Sequence, residues 1–217
     1  MRLELVAAAV GDGPGAPLAP LSVVADRGRP GFVAVETENG PTVASLVAGG
    51  RMSPDHGGVL LDGSDDAAAI RASVALVDTP GVAEPFGSLT VAQVVREELA
   101  LAGLRSDRAS VALLIGSLGL DEHRRTRLHS LPTDRRVRLL AELAVLRPEV
   151  RGLVLTTPER HGGDVAAWLE VVRDLVDRDY TVLTVTSYAA LAQASLPLPL
   201  PDVDDDAPSP TPESDPS

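Results

Sequence analysis

Short apolar stretches separated by glycine and proline clusters dominate the first third of the chain. Continuous or alternating apolar residues predict strands at residues 3–10, 21–26, 32–36, 58–61 and 73–77. The turn cluster GDGPGAP separates the first two strands, and Arg29-Pro30-Gly31 precedes the third. Short strands joined by such turns predict an antiparallel β part at the N-terminus.

From Thr90 onwards the apolar residues follow a helical period. Thr90 and Gln93 have the spacing of a capping box, and Gly103 ends the helix that they begin. Further helices are predicted at residues 107–118, with Ser106 as the N-cap, and at residues 133–146, before Pro148. Together these three helices make up a helical insert, which we place at about residues 88–147.

Strands and helices alternate after the helical insert. Strands are predicted at residues 152–156 and 180–185, with a helix between them and a short helix at 188–194. The longer helix has one apolar face, made of Val165, Trp168, Leu169, Val172, Leu175 and Val176. Such alternation is typical of a parallel sheet covered on both faces. The sequence therefore predicts an α/β domain over residues 1–196, with a parallel sheet core, the antiparallel part and the helical insert.

The last segment, residues 197–217, reads PLPLPDVDDDAPSPTPESDPS. A segment rich in Pro, Ser and acidic residues buries too little apolar surface to form a core, so we expect a disordered tail. Its six acidic residues account for half of the formal net charge of −12.

Composition narrows the classes of function. Of the 217 residues, 44% are apolar and only five are aromatic, which predicts a core of Ala, Val and Leu. The absence of cysteine excludes disulfides, thiolate nucleophiles and Cys-ligated zinc. No apolar run approaches the roughly 20 residues that span a bilayer. We expect a cytoplasmic protein, with a peripheral place at the inner face of the membrane as a further expectation.

Charge argues against nucleic acid as a ligand. Acidic residues outnumber basic ones by 31 to 19, whereas binding to nucleic acid depends on cationic side chains. The densest basic feature is an Arg cluster, which consists of Arg124, Arg125, Arg127, Arg135, Arg136 and Arg138. No aromatic residues lie among these arginines to stack on bases. We interpret the Arg cluster as a solvated, salt-bridged face or as an edge that faces a partner.

Residues 33–50, VAVETENGPTVASLVAGG, have the build of a phosphate-binding loop: an apolar strand, a polar turn with Asn39-Gly40, and a helical run. The usual pattern, GxxxxGK[ST], supplies a lysine that neutralises phosphate charge. All 19 basic residues of this chain are arginines, so no alignment recovers a lysine. Glu36 and Glu38 also place negative charge where phosphate would lie. A scaffold with an empty site is favoured over a pocket that holds phosphate by its backbone alone.

Four phrases, in order, resemble landmarks of the ATP-binding cassette, the nucleotide-binding domain of ABC transporters. GGRMSPDHGGVLLDG is similar to the segment after the phosphate loop, and SLTVAQVVREELALAGL is similar to the helix that opens the helical subdomain. RRVRLLAELAVLRPEVRGLVLTTPE resembles the signature helix with its following strand, and TVLTVTS resembles the last core strand. The resemblance covers residues 1–194. It implies a P-loop NTPase-like fold, and a membrane permease or an active cassette as partner, with a dimer as one arrangement.

The resemblance also implies where ATP would bind. With the alignment set on Asn39 and Gly40, the two glycines of the phosphate loop fall on Thr37 and Thr42. The lysine falls on Val43, and the Ser/Thr that holds Mg²⁺ falls on Ala44. Each family side chain that touches phosphate or metal in this loop is therefore replaced.

Other positions of the family pattern are replaced as well. The Asp-Glu pair that holds Mg²⁺ and polarises water falls on Thr156-Thr157, and the switch histidine falls on Ser187. The signature LSGGQ reads LPTDR at residues 131–135, and the Gln that contacts the membrane subunit falls on Asp78 or Thr79. The resemblance thus implies a degenerate cassette with no catalytic residue, no cofactor and no metal ion. ATP and Mg²⁺ remain the cofactors of the alternative, an ATPase that uses arginines and backbone amides instead.

A narrower resemblance concerns the partner. VAVE with its loop, GRM, and the stretch up to SLTVAQVVREELALA are similar to actinobacterial cassette proteins that accompany YhgE/Pip-type membrane proteins. This resemblance implies a YhgE/Pip-like partner. Docking is expected through residues 79–90 and the helical insert. A third hypothesis is a free-standing interaction module on a borrowed cassette fold.

The histidines predict no metal site. His56, His123, His129 and His161 lie in loop-like sequence without the i, i+4 pairing of metal ligands. Asp164, shortly after His161, is expected at the D-loop position of the family or as the N-cap of the next helix.

Overall fold

A computed structural model describes residues 1–196, and the predicted tail at 197–217 lies outside the described residues. The seven strands are β1 (Arg2–Val10), β2 (Leu18–Asp26), β3 (Gly31–Ala34), β4 (His56–Leu61), β5 (Val74–Val77), β6 (Gly152–Thr156) and β7 (Thr181–Thr186). The seven α-helices are α1 (Gly40–Ala48), α2 (Ala67–Ser73), α3 (Val91–Leu101), α4 (Arg108–Ser117), α5 (Thr133–Ala144), α6 (Val165–Asp177) and α7 (Tyr188–Gln193). Short 3-10 turns lie at 121–123, 128–130 and 158–161.

The predicted parallel sheet is present and has four strands. Its order is β3-β7-β6-β5, and every neighbouring pair is parallel. The carboxyl ends of all four strands therefore meet at one edge of the sheet. In open parallel sheets this edge is where ligands bind, so the segments that follow the four strands define the region of interest.

The predicted antiparallel part is a separate sheet of three strands. Its order is β2-β1-β4, with both pairings antiparallel, and the register shifts within β1. Residue Ala7 in the shifted stretch has a positive φ of 44°, which marks the irregularity in the strand.

The parallel sheet is buried on both faces, as predicted. Leu153 and Leu155 of β6 pack into one apolar cluster with the helical insert and α6, including Trp168. The intervening Val154 packs into a second cluster with α1 and the antiparallel sheet. Because successive strand side chains point to opposite faces, a continuous apolar strand such as β6 serves two cores at once.

The helical insert contains its three predicted helices, α3, α4 and α5. The capping box of α3 is formed, with Thr90 accepting from the Gln93 N–H while the Gln93 side chain accepts from the Thr90 N–H. The predicted N-cap of α4 was wrong by one residue: Asp107, not Ser106, accepts from the N–H groups of Ala109 and Ser110. A carboxylate oxygen reaches two orphan donors at once and so competes well for this position.

Some boundaries also differ from the predictions. The third strand ends at Ala34 rather than at residue 36, and residue 73 closes a helix instead of opening a strand. That helix, α2, was not predicted, because AAAIRAS contains a single large apolar residue and shows little periodicity. Asp66 caps it through the N–H groups of Ala68 and Ala69. Among residues 1–196, no helix is both long and apolar enough to cross a bilayer.

Candidate functional site

The positions singled out from the sequence gather at the carboxyl edge of the parallel sheet. The loop of residues 35–39 follows β3, Asp78 and Thr79 follow β5, Thr156 ends β6, and Ser187 follows β7. Because the four strands are parallel, these segments lie side by side although they come from distant parts of the sequence. The structure thus brings the candidate residues into one region.

The loop after β3 is shorter than the sequence alignment assumed. Helix α1 begins at Gly40 with Asn39 as its N-cap, so Thr42, Val43 and Ala44 lie within the helix rather than at the end of a loop. The expectation that the loop extends to Thr42 was therefore wrong. Asn39 makes no side-chain cap bond, and Pro41, in the first turn, has no N–H to offer an anion.

The loop folds back onto the start of α1. Gly40 donates its N–H to the Thr37 carbonyl at 3.1 Å, and Thr37 Oγ1 donates to the Pro17 carbonyl at 3.2 Å. Thr37 Oγ1 occupies the space beside Gly40, where a Cβ would overlap it. The first N–H of the helix is thus used within the protein, and a threonine side chain lies over it.

Negative charge surrounds this loop. Glu36 and Glu38 are exposed, and Glu36 Oε1 accepts from the Tyr188 N–H at 2.9 Å, at the start of α7. The N-terminus of a helix favours an anion, and the Glu36 carboxylate is the anion at the N-terminus of α7. The local electrostatics therefore oppose a second anion such as phosphate.

Behind the loop lies a line of buried hydroxyl groups, the hydroxyl chain, made of Ser45, Thr79 and Thr156. All three side chains are at most 1% exposed. Ser45 Oγ donates to the Pro41 carbonyl at 2.8 Å, and Ser45 Oγ also lies 2.8 Å from Thr156 Oγ1. Thr79 Oγ1 lies 2.7 Å from Thr156 Oγ1.

The donors of the hydroxyl chain follow from the number of protons. A hydroxyl has one proton, and Ser45 uses its proton on Pro41, so Thr156 donates to Ser45 and Thr79 donates to Thr156. Each of the three hydroxyl protons therefore has an acceptor. The region between α1 and the end of β6 is therefore neutral and internally satisfied, without a carboxylate that would attract a metal ion.

Thr157 and Ser187 have structural contacts of their own. Thr157 adopts a left-handed conformation with φ 42° and donates its N–H to the Val185 carbonyl at 2.7 Å. Ser187 caps α7, accepting from the Ala190 N–H at 3.2 Å, and its own N–H donates to Glu159 Oε1 at 2.8 Å. Both residues thus shape turns at the sheet edge.

Next to the hydroxyl chain lies an ionic cluster, made of Asp78, Glu84, Arg136, Arg160 and His161. Arg136 and Asp78 are 2% and 4% exposed, and the guanidinium holds both carboxylate oxygens, at 2.6 and 2.8 Å. Arg160 Nη2 lies 3.0 Å from Asp78 Oδ1 and 3.0 Å from Glu84 Oε1. The cluster ties the end of β5 to α5 and to the turn after β6.

Two pKa values in the ionic cluster are shifted. Burial acts to raise the pKa of Asp78, but hydrogen bonding and charge from Arg136, with Arg160 and His161, lower it below its ordinary value. Burial, together with the Arg136 charge, lowers the pKa of His161, against the opposing effect of Asp78. Asp78 is therefore ionised and His161 neutral near pH 7.

The neutral histidine has two partners. His161 Nε2 lies 3.0 Å from Asp78 Oδ2 and 3.0 Å from Arg160 Nε. With its proton on Nε2 the imidazole donates to Asp78, and with its proton on Nδ1 it accepts from Arg160. Either tautomer keeps the imidazole within the cluster.

The ionic cluster corrects the interpretation of Arg136 as a solvated residue, and it bears on the prediction that the histidines form no metal site. Arg136 was expected on a solvated face, but it is buried on Asp78, whereas Arg138 pairs with Asp174 at 3.1 Å as expected of a salt-bridged face. Ligand atoms of Asp78, Glu84 and His161 lie within 4.8 Å of one another, a spacing that a metal ion accepts. Two guanidinium groups already neutralise the carboxylates there, so a cation would have to displace both.

Sequence reasoning did not find the residues that complete these sites. Ser45 stands out only as a polar residue between apolar neighbours within α1, and His161 was placed in loop-like sequence. Asp164, by contrast, is an N-cap, as one of its two interpretations predicted, because it accepts from the Ala166 N–H.

A groove opens between residues 79–90 and the helical insert. Its volume is about 500 Å³, its floor includes Leu76 and Val77 of β5, and its walls come from α3, α5 and residues 82–89. Three large apolar side chains near its rim are exposed: Val82 by 49%, Phe86 by 80% and Leu101 by 76%. Exposed apolar side chains that cluster at a groove are a common feature of protein contact surfaces.

Comparisons with known proteins agree with the fold. No family model and no curated protein matches the chain. Among solved structures, it is similar to an ATP-binding subunit of an ABC transporter, with 18% identity and TM-score 0.58 over 88% of this chain and 82% of that one. A nucleotide-free ATP-binding cassette from an ABC transporter matches with 14% identity and TM-score 0.62 over 90% and 85%.

A third similar structure is CbiO1 from Clostridium perfringens, part of the ABC transporter complex CbiONQ. It matches with 15% identity and TM-score 0.58, over 85% of this chain and 78% of that one. Identities this low carry information about the fold only. The parallel sheet with its helical insert and antiparallel sheet is therefore the fold of an ABC transporter ATP-binding cassette.

Proposed function

We propose that the protein is a non-hydrolysing ATP-binding-cassette subunit that acts by binding a partner. The observation that carries this proposal is the hydroxyl chain. Its three buried hydroxyls satisfy one another between α1 and β6. A site that held Mg-ATP would need charged ligands between α1 and β6. The protein has hydroxyl groups at these positions, and its sequence contains no lysine.

The start of α1 supports the same proposal. Thr37 covers Gly40, Pro41 lacks an N–H, and two glutamates flank the loop. Phosphate binding at a helix N-terminus depends on free N–H groups and positive potential. Both features are missing here, and Thr157 stands where the family has its catalytic carboxylate, so the groups with which the family activates water and stabilises the transferred phosphoryl group are replaced.

The groove supports a role in binding. It lies along residues 79–90 and the helical insert, where the resemblance implies contact with a membrane subunit. The solved structure of CbiO1 belongs to the transporter complex CbiONQ. We propose that the groove docks on a membrane permease, with YhgE/Pip-type proteins as the implied class, at the cytoplasmic face of the membrane. Pairing with an active cassette is the second arrangement.

Nucleotide titration tests the loss of catalysis. We expect calorimetry with Mg-ATP up to about 1 mM to show no saturable heat, and phosphate release to stay at the buffer level. Ser45→Ala is the matched variant, because it alters the site without adding charge. Turnover that is present in the natural protein and lost in Ser45→Ala would establish the alternative, a working ATPase with a non-standard site.

Membrane association tests the binding role. Co-expression with a candidate permease is expected to carry the protein into the membrane fraction, and Leu101→Asp, an exposed change at the groove, is expected to release it. A protein that stays away from the membrane fraction in both forms would favour the free-standing interaction module.

A further inference from the structure

Another pocket, the β1–β2 pocket, lies at the start of β3, at the opposite end of this strand from the candidate functional site. Its volume is about 540 Å³, and its walls come from β1, β2 and the segment of residues 29–32. Val6 is 49% exposed, and Val24 and Phe32 are half-buried, so apolar side chains meet solvent in this pocket. Pockets of roughly 300–1,000 Å³ are large enough to bury a small ligand or several side chains.

Leu196, the last described residue, also lines the β1–β2 pocket. Its side chain is half-buried and, like that of Phe32, packs against the apolar cluster that contains α6. The chain therefore leaves the described part of the fold at the pocket itself. Residues 197–217 continue from this point, so the first of them are the groups with the highest effective concentration at the pocket.

A Schellman motif at the end of α7 brings Leu196 to the pocket. Leu196 donates its N–H to the Leu191 carbonyl at 3.1 Å, and Ser195 donates its N–H to the Ala192 carbonyl at 3.1 Å. Ser195 adopts a left-handed conformation with φ 54°, which is costly for a residue with a side chain. Two hydrogen bonds hold this turn against the local cost, so the chain leaves α7 in a defined direction.

The next residues, 197–201, alternate proline with leucine and read PLPLP. A residue that precedes proline favours an extended backbone, and this applies to Leu196, Leu198 and Leu200. In an extended strand, side chains two residues apart point to the same side. Because Leu196 lines the pocket, an extended continuation places Leu198 and Leu200 on the pocket side as well, within about 7 and 14 Å along the chain.

The charges at the pocket suit the acidic residues that follow. Arg29 lines the pocket with a side chain that is 67% exposed, and its nitrogen lies 3.6 Å from the Asp26 carboxylate. Glu4, which also lines the pocket, is paired with Arg2 at 2.8 Å. Four aspartates lie within residues 202–206, directly after the leucines. Exposed ion pairs contribute little, so Arg29 orients the acidic residues while apolar contact supplies most of the stabilisation.

We propose that the β1–β2 pocket is the docking site of residues 197–201 of the same chain, with Leu198 and Leu200 covering its apolar side chains. The sequence predicts a disordered tail for residues 197–217, and this inference assigns an intramolecular contact to the first five of them. The contact joins the end of α7 to the antiparallel sheet. It is independent of the proposed docking on a permease, which uses the groove beside the helical insert.

Engineered disulfides test the inference, because the natural chain contains no cysteine. Val6→Cys, at an exposed position of the pocket, is combined in the full chain with Leu198→Cys, Pro199→Cys, Leu200→Cys or Pro201→Cys in turn. The effective concentration of each thiol pair is measured against glutathione by mass spectrometry. We expect the better of the two leucine positions to exceed both proline positions at least about tenfold, because docking holds alternate side chains on the pocket side.

The other outcomes of this experiment overturn the inference. A smooth decrease of the effective concentration from residue 198 to residue 201 is the behaviour of a chain that does not dock. Equally low values at all four positions would show that the segment passes elsewhere. Covalent dimers in place of the intrachain disulfide would assign the pocket to a second copy of the chain.

Thiol accessibility gives an independent test in the protein that carries Val6→Cys alone. Adding Leu198→Ser with Leu200→Ser is expected to speed alkylation of this thiol by iodoacetamide at least about threefold, because access controls the reactivity of a thiol. The control, Val203→Ser with Ala207→Ser, removes apolar groups further along the same segment and is expected to leave the rate unchanged. Equal alkylation rates in all three proteins would refute the docking of residues 197–201.

Discussion

The adjacent residues Asp78 and Thr79 belong to two different buried polar sites, of which one is charged and the other neutral. Thr79 belongs to the hydroxyl chain, which is neutral and joins β5, β6 and α1. Asp78 belongs to the ionic cluster, which joins β5 to α5 and to the turn after β6. Asp78 adopts a left-handed conformation with φ 56°, so that consecutive side chains serve separate sites.

The difference shows where the fold depends on a single partner. A hydroxyl that loses its neighbour leaves one unsatisfied polar group, whereas a carboxylate that loses its guanidinium leaves a buried charge. Removing one partner from the ionic cluster is therefore expected to destabilise the packing of the helical insert on the sheet. Removing one hydroxyl from the hydroxyl chain is expected to destabilise the packing of α1 less.

The largest expected effect follows from Arg136→Met. This change leaves Asp78 ionised and buried with Arg160 and His161 as its remaining partners, so the free energy of unfolding is expected to fall by about 3 kcal/mol. Urea titration measures it, with the emission of Trp168, the only tryptophan and 1% exposed, as the signal.

Arg138→Met is the matched control on the same helix. Its guanidinium is 32% exposed and pairs with a half-exposed aspartate, so the loss is expected to stay below about 1 kcal/mol. Equal losses for the two arginines would show that burial of the Asp78 pair is unimportant. The contrast between the two polar sites would then disappear.

A smaller effect is expected from Thr156→Val. The change removes the central hydroxyl and leaves the Thr79 proton and one lone pair of Ser45 without a partner, which costs about 1–3 kcal/mol. The triple variant Ser45→Ala, Thr79→Val, Thr156→Val removes all three hydroxyls and is expected to recover part of that loss. A triple variant that is less stable than Thr156→Val would contradict the conclusion that the three hydroxyls of the hydroxyl chain satisfy only one another and the Pro41 carbonyl.

The smallest effect is a dependence of stability on pH, which the ionic cluster contributes and the hydroxyl chain does not. The pKa of His161 is lowered from its ordinary value of 6.5, so just below pH 6.5 the unfolded chain binds a proton that the folded chain does not. The free energy of unfolding is therefore expected to fall as the pH falls below 6.5. Asp78, whose pKa is lowered from 3.8, adds a second loss below about pH 4.

His161→Asn isolates the first of these steps. Urea titrations between pH 5 and 8, about the range in which histidine titrates, are expected to lose the dependence attributed to His161. His56→Asn, at an exposed position of β4, is the control and is expected to keep it. Persistence of the full dependence in His161→Asn would assign it to another group.

Some parts of the site were accessible from the sequence, and others were not. The ends of β5 and β6 were located correctly and that of β7 to within one residue, because strand periodicity and turn residues are local signals. The pairing of Arg136 with Asp78 was missed, because the two lie 58 residues apart and an arginine-rich helix usually indicates a solvated face. The start of α1 was misplaced, because Pro41 occupies the first helical turn, which local pattern reasoning assigned to the loop.

The layered α/β fold and the absence of lysine from every site follow from the sequence alone. Apolar residues at strand and helix periods specify which faces are buried, and no arrangement of the chain supplies a residue type that the chain lacks. The tertiary structure was needed to see that Ser45, Thr79 and Thr156 satisfy one another and that Arg136 is buried on Asp78. Hydrogen bonds and ion pairs act over a few ångströms between residues that are distant in sequence, so their partners are set by the packing of the elements.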